Sequence, residues 1–171
     1  HAKSDSVFYA THSAPSVIFQ MTTFGKVHQT LTLDAEQDNA YTLLLDDSTD
    51  TLLVGTFSTP ARVVRVQISD FSVKDELALT DSLALNEISS AVIDSVYRYA
   101  VFGSWREGKL VRLSLDNFGE GKTFLVPLNQ EHVYDLKVDP VSNYLFATTS
   151  QGTSSTLSVM SLDTLEIVQQ A

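Results

Sequence analysis

The chain of 171 residues has the length of one ordinary domain, and 43% of its residues are hydrophobic, enough to form a buried core. Its 11 basic residues are scattered among 21 acidic ones, for a net charge of −10, which argues against a nucleic-acid partner or an anionic membrane surface. Cysteine is absent, which excludes disulfides and thiolate metal ligands. No apolar run approaches the roughly 18 residues that span a bilayer, so we expect no membrane insertion.

The sequence repeats itself nearly four times with a period close to 46 residues. Each repeat contains an apolar strand, a polar loop, an alternating strand and a turn that ends in a large apolar residue. Phe71, Phe118 and Leu165 hold this last position and lie 47 residues apart, and Phe24 joins the series from the N-terminal stretch. A period of roughly 40 to 50 residues with about four short strands per unit is typical of a β-propeller blade.

In chain order, the repeats cover about residues 1–39, 40–86, 87–131 and 132–171. The last three each begin with an apolar innermost strand that ends in an aspartate and a turn. The first repeat has no such strand, because residues 1–6 contain nothing similar. The predicted innermost strands are Tyr41–Leu45, Ser90–Ile93 and Val133–Val138, followed by Asp46, Asp94 and Asp139.

The predicted fold is therefore all-β: β-propeller blades of four-stranded antiparallel sheets, with an incomplete first blade and fifteen strands in total. The outermost strand, such as Asp75–Leu79, is charged, which discourages pairing between sheet edges. Fifteen strands do not close a ring of four-stranded blades, so we expect further blades of a longer chain, or other copies, to cover the open ends. The N-terminus has neither an initiator Met nor an apolar secretion core, which suggests a mature form or part of a longer chain.

Motifs for enzymatic or metal chemistry are weak. Gly121–Thr123 resembles the end of a phosphate-binding loop, but the required upstream glycine is replaced by Asp116, and we expect a hairpin turn instead. Asp34–Asp38 departs from a calcium loop at its sixth and twelfth positions, which leaves at most a looser calcium contact there or at Asp46, Asp47 and Asp50. The four histidines have no ligand spacing, and no Gly-x-Ser-x-Gly elbow is present. We therefore predict no catalytic residue, no metal site and no cofactor.

Polar residues recur at one position before the innermost strands. Asp38, Asn86 and Glu131 each stand eight residues before an inner-strand aspartate, and Glu87 lies beside the second. The propeller pattern places these connections on the same face as the loop that contains Trp105. Side chains repeated around a channel mouth have the chemistry to bind a cation, a sugar or a peptide. The alternative is that they cap backbone N–H groups of the adjoining blade.

Trp105 and Arg106 occupy a loop where the sister repeats carry small polar residues. Tryptophan and arginine are frequent anchors of protein interfaces. The alternative is that Trp105 only covers the neighbouring blade.

An inner strand ending in Asp, a strand such as Leu53–Thr56 or Tyr144–Thr148, and the stretch Val64–Phe71 together resemble the YVTN-type β-propeller repeats of cell-surface proteins, although no literal Tyr-Val-Thr-Asn occurs. The resemblance implies an extracellular, non-enzymatic module for adhesion or for assembly, for example into a filament. The implied partners are copies of itself, further blades or other proteins, with a glycan as the alternative ligand. Two alternatives stay open: a lactonase or quinoprotein-like enzyme with a metal or cofactor at its channel, and an intracellular interaction platform.

Overall fold

The structure, a computed structural model, describes residues 6–125 and 131–171. The strands of these residues form four antiparallel sheets, one of three strands and three of four, in which neighbours along the chain pair with each other. We call the sheets blades 1 to 4. Blade 1 contains β1 (Ser6–Ala10), β2 (Val17–Thr22) and β3 (Val27–Thr32); blade 2 contains β4 (Ala40–Asp46), β5 (Thr51–Thr56), β6 (Arg62–Gln67) and β7 (Ser72–Ala78); blade 3 contains β8 (Ile88–Asp94), β9 (Tyr99–Ser104), β10 (Lys109–Ser114) and β11 (Gly121–Leu125); blade 4 contains β12 (His132–Asp139), β13 (Tyr144–Gln151), β14 (Ser154–Ser161) and β15 (Ile167–Gln170).

This architecture confirms the predicted all-β fold with an incomplete first blade. The fifteen strands expected from the repeat pattern are all present within the described residues. One local prediction was wrong: Gly121–Thr123 is not a turn but the start of β11, which pairs with β10. Two short 3-10 helices, Ala35–Gln37 and Asp81–Leu83, lie in the connections that lead to blades 2 and 3.

The hydrophobic core lies between successive blades. The second strands of blades 2 and 3 have two apolar faces, so each packs against both neighbouring sheets. In blade 3, Phe102 faces the cluster shared with blade 2 and Val101 faces the cluster shared with blade 4. Both side chains are almost fully buried. A further cluster, which includes Ile18 and Val54, joins blades 1 and 2.

Two glycines on the second strands allow the next blade to approach closely. A Cβ atom on Gly103 would lie 2.6 Å from Val133 Cγ1, and one on Gly55 would lie 3.0 Å from Ile88 Cγ2. Val133 and Ile88 are fully buried at or near the start of the following blade's inner strand. The glycines therefore set how closely blades 2, 3 and 4 pack.

The large apolar turn residues contact the preceding blade. Phe71 and Leu165 are buried, and the Phe71 ring stacks on Phe8 of blade 1 with centroids 6.5 Å apart. Phe118 is half-buried beneath the Arg65 guanidinium of blade 2, at 4.5 Å. Phe24 does not share this environment and is 95% exposed. The reason is that no blade precedes blade 1 within the described residues.

Candidate functional site

The predicted site residues share one end of the blades. Each inner strand runs antiparallel to the second strand, so that Asp46 pairs with Thr51 and Ala40 with Thr56. The connections between blades therefore lie at the same end as the loops that follow the second strands. We call this end the upper face, and the opposite end, with the turns after the inner-strand aspartates, the lower face. The upper face carries all six predicted residues: Asp38, Asn86, Glu87, Trp105, Arg106 and Glu131.

Asn86 is held by an acidic residue of the neighbouring loop. The Asn86 backbone N–H donates to the Glu107 carboxylate at 3.1 Å, and its side-chain Nδ2 donates to the same group at 2.6 Å. Lys109 Nζ lies 3.5 Å from Glu107. The alternative prediction was that Asn86 caps a backbone N–H group. In the structure Asn86 is itself the capped residue, and the capping carboxylate belongs to Glu107, which the sequence analysis missed. Its position two residues after Trp105 was the available signal.

Glu87 links the two loops of blade 3 at this face. Its carbonyl accepts the Trp105 N–H at 2.8 Å, and its carboxylate lies 3.5 Å from Arg106 Nε. The Arg106 side chain is 68% exposed. This pair is therefore a solvated surface ion pair that leaves the guanidinium accessible.

Asp38 and Glu131 have different surroundings. Asp38 is half-buried, and its Oδ1 is buried without a hydrogen-bond partner among the described residues. It lines an open cleft of about 410 Å³ together with Ser58–Pro60. Glu131 is exposed, and its carbonyl accepts the Gly108 N–H at 2.9 Å. Among the described residues, no group of three His, Asp or Glu side chains is arranged to hold a metal ion. A ligand-binding role for these residues stays a prediction.

Trp105 belongs to an aromatic cluster between blades 3 and 4. Its ring lies 4.5 Å from the His132 ring at an angle of 30° and meets the Tyr134 ring edge-on at 5.3 Å, centroid to centroid. His132 Nδ1 also contacts the Trp105 carbonyl oxygen. Trp105 thus covers the start of the next blade, while Tyr134 remains 50% exposed. We call Trp105, His132 and Tyr134 the second aromatic cluster.

A first aromatic cluster occupies the equivalent place between blades 1 and 2. His12, Tyr41 and Phe57 approach each other with ring centroids 5.3 to 5.7 Å apart. Tyr41 and Tyr134 both sit at the irregularity of their inner strands and are about half exposed. The sequence analysis noted only that His12 and His132 have no metal-ligand spacing. The signal it overlooked was that His12, Phe57 and Trp105 hold the same repeat position, directly after the hydroxyl residues Thr11, Thr56 and Ser104 that close β1, β5 and β9.

The carboxylate of Asp46, on the lower face, already accepts hydrogen bonds from neighbouring side chains. Burial alone would raise the pKa of its carboxyl group, but hydrogen bonds from Arg98, Thr49 and Ser48 outweigh burial and hold the pKa well below its usual range. The pKa of Asp139 is also lowered, chiefly by the Ser142 hydroxyl. Because both Asp46 oxygens accept hydrogen bonds, they are poor candidates for the calcium contact considered above.

The fold matches known β-propeller structures. The chain superposes on the WD40 domain of Pan2 from Neurospora crassa with a TM-score of 0.74 and 14% identity, over 98% of this chain and 46% of that one. It superposes on hydrazine synthase from Kuenenia stuttgartiensis with a TM-score of 0.79 and 11% identity, over 97% of this chain and 45% of that one. The fold is that of a β-propeller. The chain spans less than half the length of these two structures.

At this level of identity the comparisons show the fold alone. No family model and no curated protein matches the sequence, so the YVTN-type relationship stays a prediction. No helix among the described residues has the length and apolar character to cross a membrane.

Proposed function

We propose that this chain is a non-enzymatic interaction module of an extracellular or cell-surface protein, and that its upper face binds a polypeptide partner. The β-propeller fold is compatible with such a module. The observation that carries the proposal is the pair of aromatic clusters, which present half-exposed tyrosines at equivalent places on this face. Aromatic side chains with a polar tip are common anchors at interfaces.

The charges of the upper face favour cationic side chains in the partner. Glu87 and Glu131 flank the second aromatic cluster, and the chain as a whole carries a net charge of −10. Lysine and arginine bind both to carboxylates and to the faces of aromatic rings. We therefore expect a basic segment to bind with its positive groups beside Tyr41 and Tyr134.

A glycan is the second candidate ligand. Trp105 lies next to carboxylate and amide groups of blade 3, a combination of an apolar ring and polar groups that suits a sugar. A basic peptide and a neutral glycan differ in how salt affects them, because only the peptide's affinity depends on charge pairing.

The open faces of the first and last blades support assembly with further blades or with other copies. Phe24 and Leu157 are exposed, whereas their repeat equivalents Phe71 and Leu110 are buried against a neighbouring blade. Leaving a few hundred Å² of such surface in water costs several kcal/mol at about 25 cal/mol per Å². Head-to-tail packing of copies builds a filament when the rotation does not close. We expect light scattering at micromolar concentration to show association, and a stable, sharply melting monomer would contradict this.

The non-enzymatic and extracellular parts of the proposal have separate supports. The rings of His12 and His132 pack against aromatic side chains, and the resemblance to YVTN-type repeats favours the cell surface. A lactone or phosphoester hydrolysis activity that is lost on Asp38→Ala would favour the enzyme alternative. Protection from a cell-impermeant biotin reagent in intact cells would favour the intracellular one.

The single tryptophan provides a direct binding assay. We would titrate the protein with twelve-residue peptides that are basic, acidic or neutral, follow Trp105 fluorescence, and screen a glycan array in parallel. We expect saturable binding of basic peptides, weakened at least tenfold by Tyr134→Ser or Tyr41→Ser. Tyr97→Ser is the matched control, because Tyr97 is 45% exposed but lies in a lower-face turn.

The proposal is wrong if the Tyr97→Ser variant loses as much affinity as the Tyr41 and Tyr134 variants. Selective binding on the glycan array, without any response to basic peptides, would replace the polypeptide partner by a carbohydrate. Circular dichroism of each variant checks that it remains folded.

A further inference from the structure

We propose that a cleft at the outer edge of blade 3 binds an acidic sugar residue, one that carries an anionic group besides its hydroxyl groups. The cleft has a volume of about 330 Å³ and is lined by residues of β9, β10, β11 and the turn between β10 and β11. This volume lies at the lower end of the range of small-molecule sites, roughly 300 to 1,000 Å³. The cleft lies towards the lower face, away from the aromatic clusters, so it is independent of the binding proposed for the upper face.

The cleft contains two cations where the other complete blades have an ion pair or uncharged residues. In blade 2, Arg65 on β6 pairs in register with Asp75 on β7, and its Nε donates to the Asp75 carboxylate at 2.9 Å. The equivalent pair in blade 3, 47 residues further along, is Arg112 and Lys122. The same positions of blade 4 hold two uncharged residues. Blade 3 therefore has a lysine where blade 2 has the carboxylate that balances its arginine.

Arg112 brings a fixed positive charge to the cleft. The residue is only 9% exposed. Its Nη1 donates to the Asp163 carbonyl at 2.7 Å and also contacts the Leu162 carbonyl. The guanidinium stands 4.5 Å over the centre of the Tyr99 ring. These contacts hold the guanidinium in place, so its positive charge stays at the wall of the cleft.

Lys122 brings the second positive charge. It is exposed, and no ion-pair partner of its ammonium group lies among the described residues. Residues directly opposite each other on antiparallel strands have Cβ atoms about 4.5 to 5.5 Å apart, and like charges there destabilise the sheet. An anionic group bound beside Lys122 and Arg112 would relieve this repulsion, as Asp75 does for Arg65 in blade 2.

The other end of the cleft has the chemistry to bind hydroxyl groups. Ser114 lies opposite Glu120, whose carbonyl accepts the Ser114 N–H at 2.9 Å. Asn117 Nδ2 lies 3.3 Å from the Glu120 carboxylate, and all three side chains line the cleft. A carboxylate accepts hydrogen bonds from hydroxyl groups, and an amide both donates and accepts them.

Glu120 decides between an acidic sugar and a simple anion. A sulfate ion, or the ionised side chain of an acidic peptide, would meet Glu120 as a like charge and offer it no hydrogen-bond donor. A sugar acid places its anionic group beside Arg112 and Lys122 and its hydroxyl groups beside Glu120 and Asn117. Both ends of the cleft are then matched by one ligand.

Titration followed by amide NMR tests the site. Methyl β-D-glucuronide and methyl β-D-glucoside are matched probes, since they differ only by a carboxylate in place of a hydroxymethyl group. We expect the glucuronide, at millimolar concentration, to shift the amide signals of Asn117, Gly121 and Lys122 in a saturable way. It should bind at least tenfold more tightly than the glucoside, because only the glucuronide forms charge-assisted contacts with the two cations.

Three variants separate the role of charge from that of hydrogen bonding. Lys122→Asp gives blade 3 the pair that blade 2 has, so it should lower the affinity for the glucuronide at least tenfold and raise the melting temperature. Lys74→Asp makes the same change of charge on the exposed outer strand of blade 2 and should leave the affinity unchanged. Glu120→Ala should weaken binding about tenfold, as the loss of a hydrogen bond to a charged group implies.

Four results would overturn the proposal. Tighter binding by Glu120→Ala would show that Glu120 only repels the ligand, which would then be a simple anion. Equal binding of N-acetylglutamic acid amide would assign the cleft to acidic peptide side chains. Equal binding of the glucoside, or no shift at Asn117, Gly121 and Lys122, would show that the two cations do not form a binding site. The amide spectrum of each variant checks that it remains folded.

Discussion

Two junctions between blades share a backbone conformation, the one between blades 2 and 3 and the one between blades 3 and 4. Each contains a buried aspartate, but the two aspartates differ in their hydrogen-bond partners. In the first, Arg98 of blade 3 donates to both oxygens of Asp46, at 2.8 and 2.9 Å. In the second, Asn143 stands where Arg98 does, and Asp94 Oδ2 is buried without a partner among the described residues. The Asp94 Oδ1 atom caps the Val96 and Tyr97 N–H groups.

The comparison shows that the repeat conserves conformation more closely than interaction. Arg98 and Asn143 have nearly the same left-handed backbone, with φ of 61° and 59°, and each follows its inner-strand aspartate by four residues. Both side chains donate to the equivalent aspartate of their own blade, Arg98 to Asp116 at 3.1 Å and Asn143 to Asp163 at 2.8 Å, but only the arginine also reaches the aspartate of the preceding blade. The side chain at this one position therefore decides whether the junction contains a bidentate ion pair.

The largest effect should come from breaking the ion pair at the first junction. We expect Arg98→Ala to lower the free energy of unfolding by about 3 kcal/mol, because it leaves the buried Asp46 carboxylate without its counter-ion. Urea unfolding followed by circular dichroism measures the change. Arg106→Ala is the control and should change stability by less than about 0.5 kcal/mol, since that side chain is mostly exposed. Equal losses would contradict the difference assigned to burial.

The stabilisation from the Asp46–Arg98 ion pair should also depend on pH. The pKa of Asp46 is lowered in the folded protein, so the unfolded chain takes up this proton first as the pH falls. The stabilisation from Asp46 is present above the unfolded pKa of about 4 and is lost as the pH falls further towards the folded value. We expect the stability difference between wild type and Arg98→Ala to shrink from pH 6 to pH 2. A difference independent of pH would show that the ion pair is not its source.

The smallest effect should come from building the missing pair. We expect Asn143→Arg to raise the free energy of unfolding by about 1 kcal/mol, because its backbone already has the conformation that Arg98 uses and its side chain would reach the unpartnered oxygen of Asp94. The matched test places Asn143→Arg in an Asp94→Asn background, where the gain should disappear. A gain of the same size in both backgrounds would assign it to general charge effects on this acidic chain.

Much of the fold was predictable from the sequence because each repeat is marked by residues close together in the chain. The spacing of Phe71, Phe118 and Leu165 and the aspartate that ends each inner strand gave the number of strands and the incomplete first blade. Phe24 fits the pattern yet is exposed, because burial at that position requires a preceding blade. The sequence also grouped Asp38, Asn86 and Glu131 correctly on one face. It did not reveal that Glu107, rather than a backbone group, is the partner of Asn86.

By itself, the sequence determined the strand order, the all-β class and the end of the blades on which each loop lies, since these depend on hydrophobic alternation and turns within about 46 residues. Only the tertiary structure decided which side chains meet across the blades. Trp105 and His132 are 27 residues apart, and Asp46 and Arg98 are 52 apart. Such contacts depend on how closely adjacent sheets pack, and that spacing is set by Gly55 and Gly103 together with the residues of the next blade that approach them.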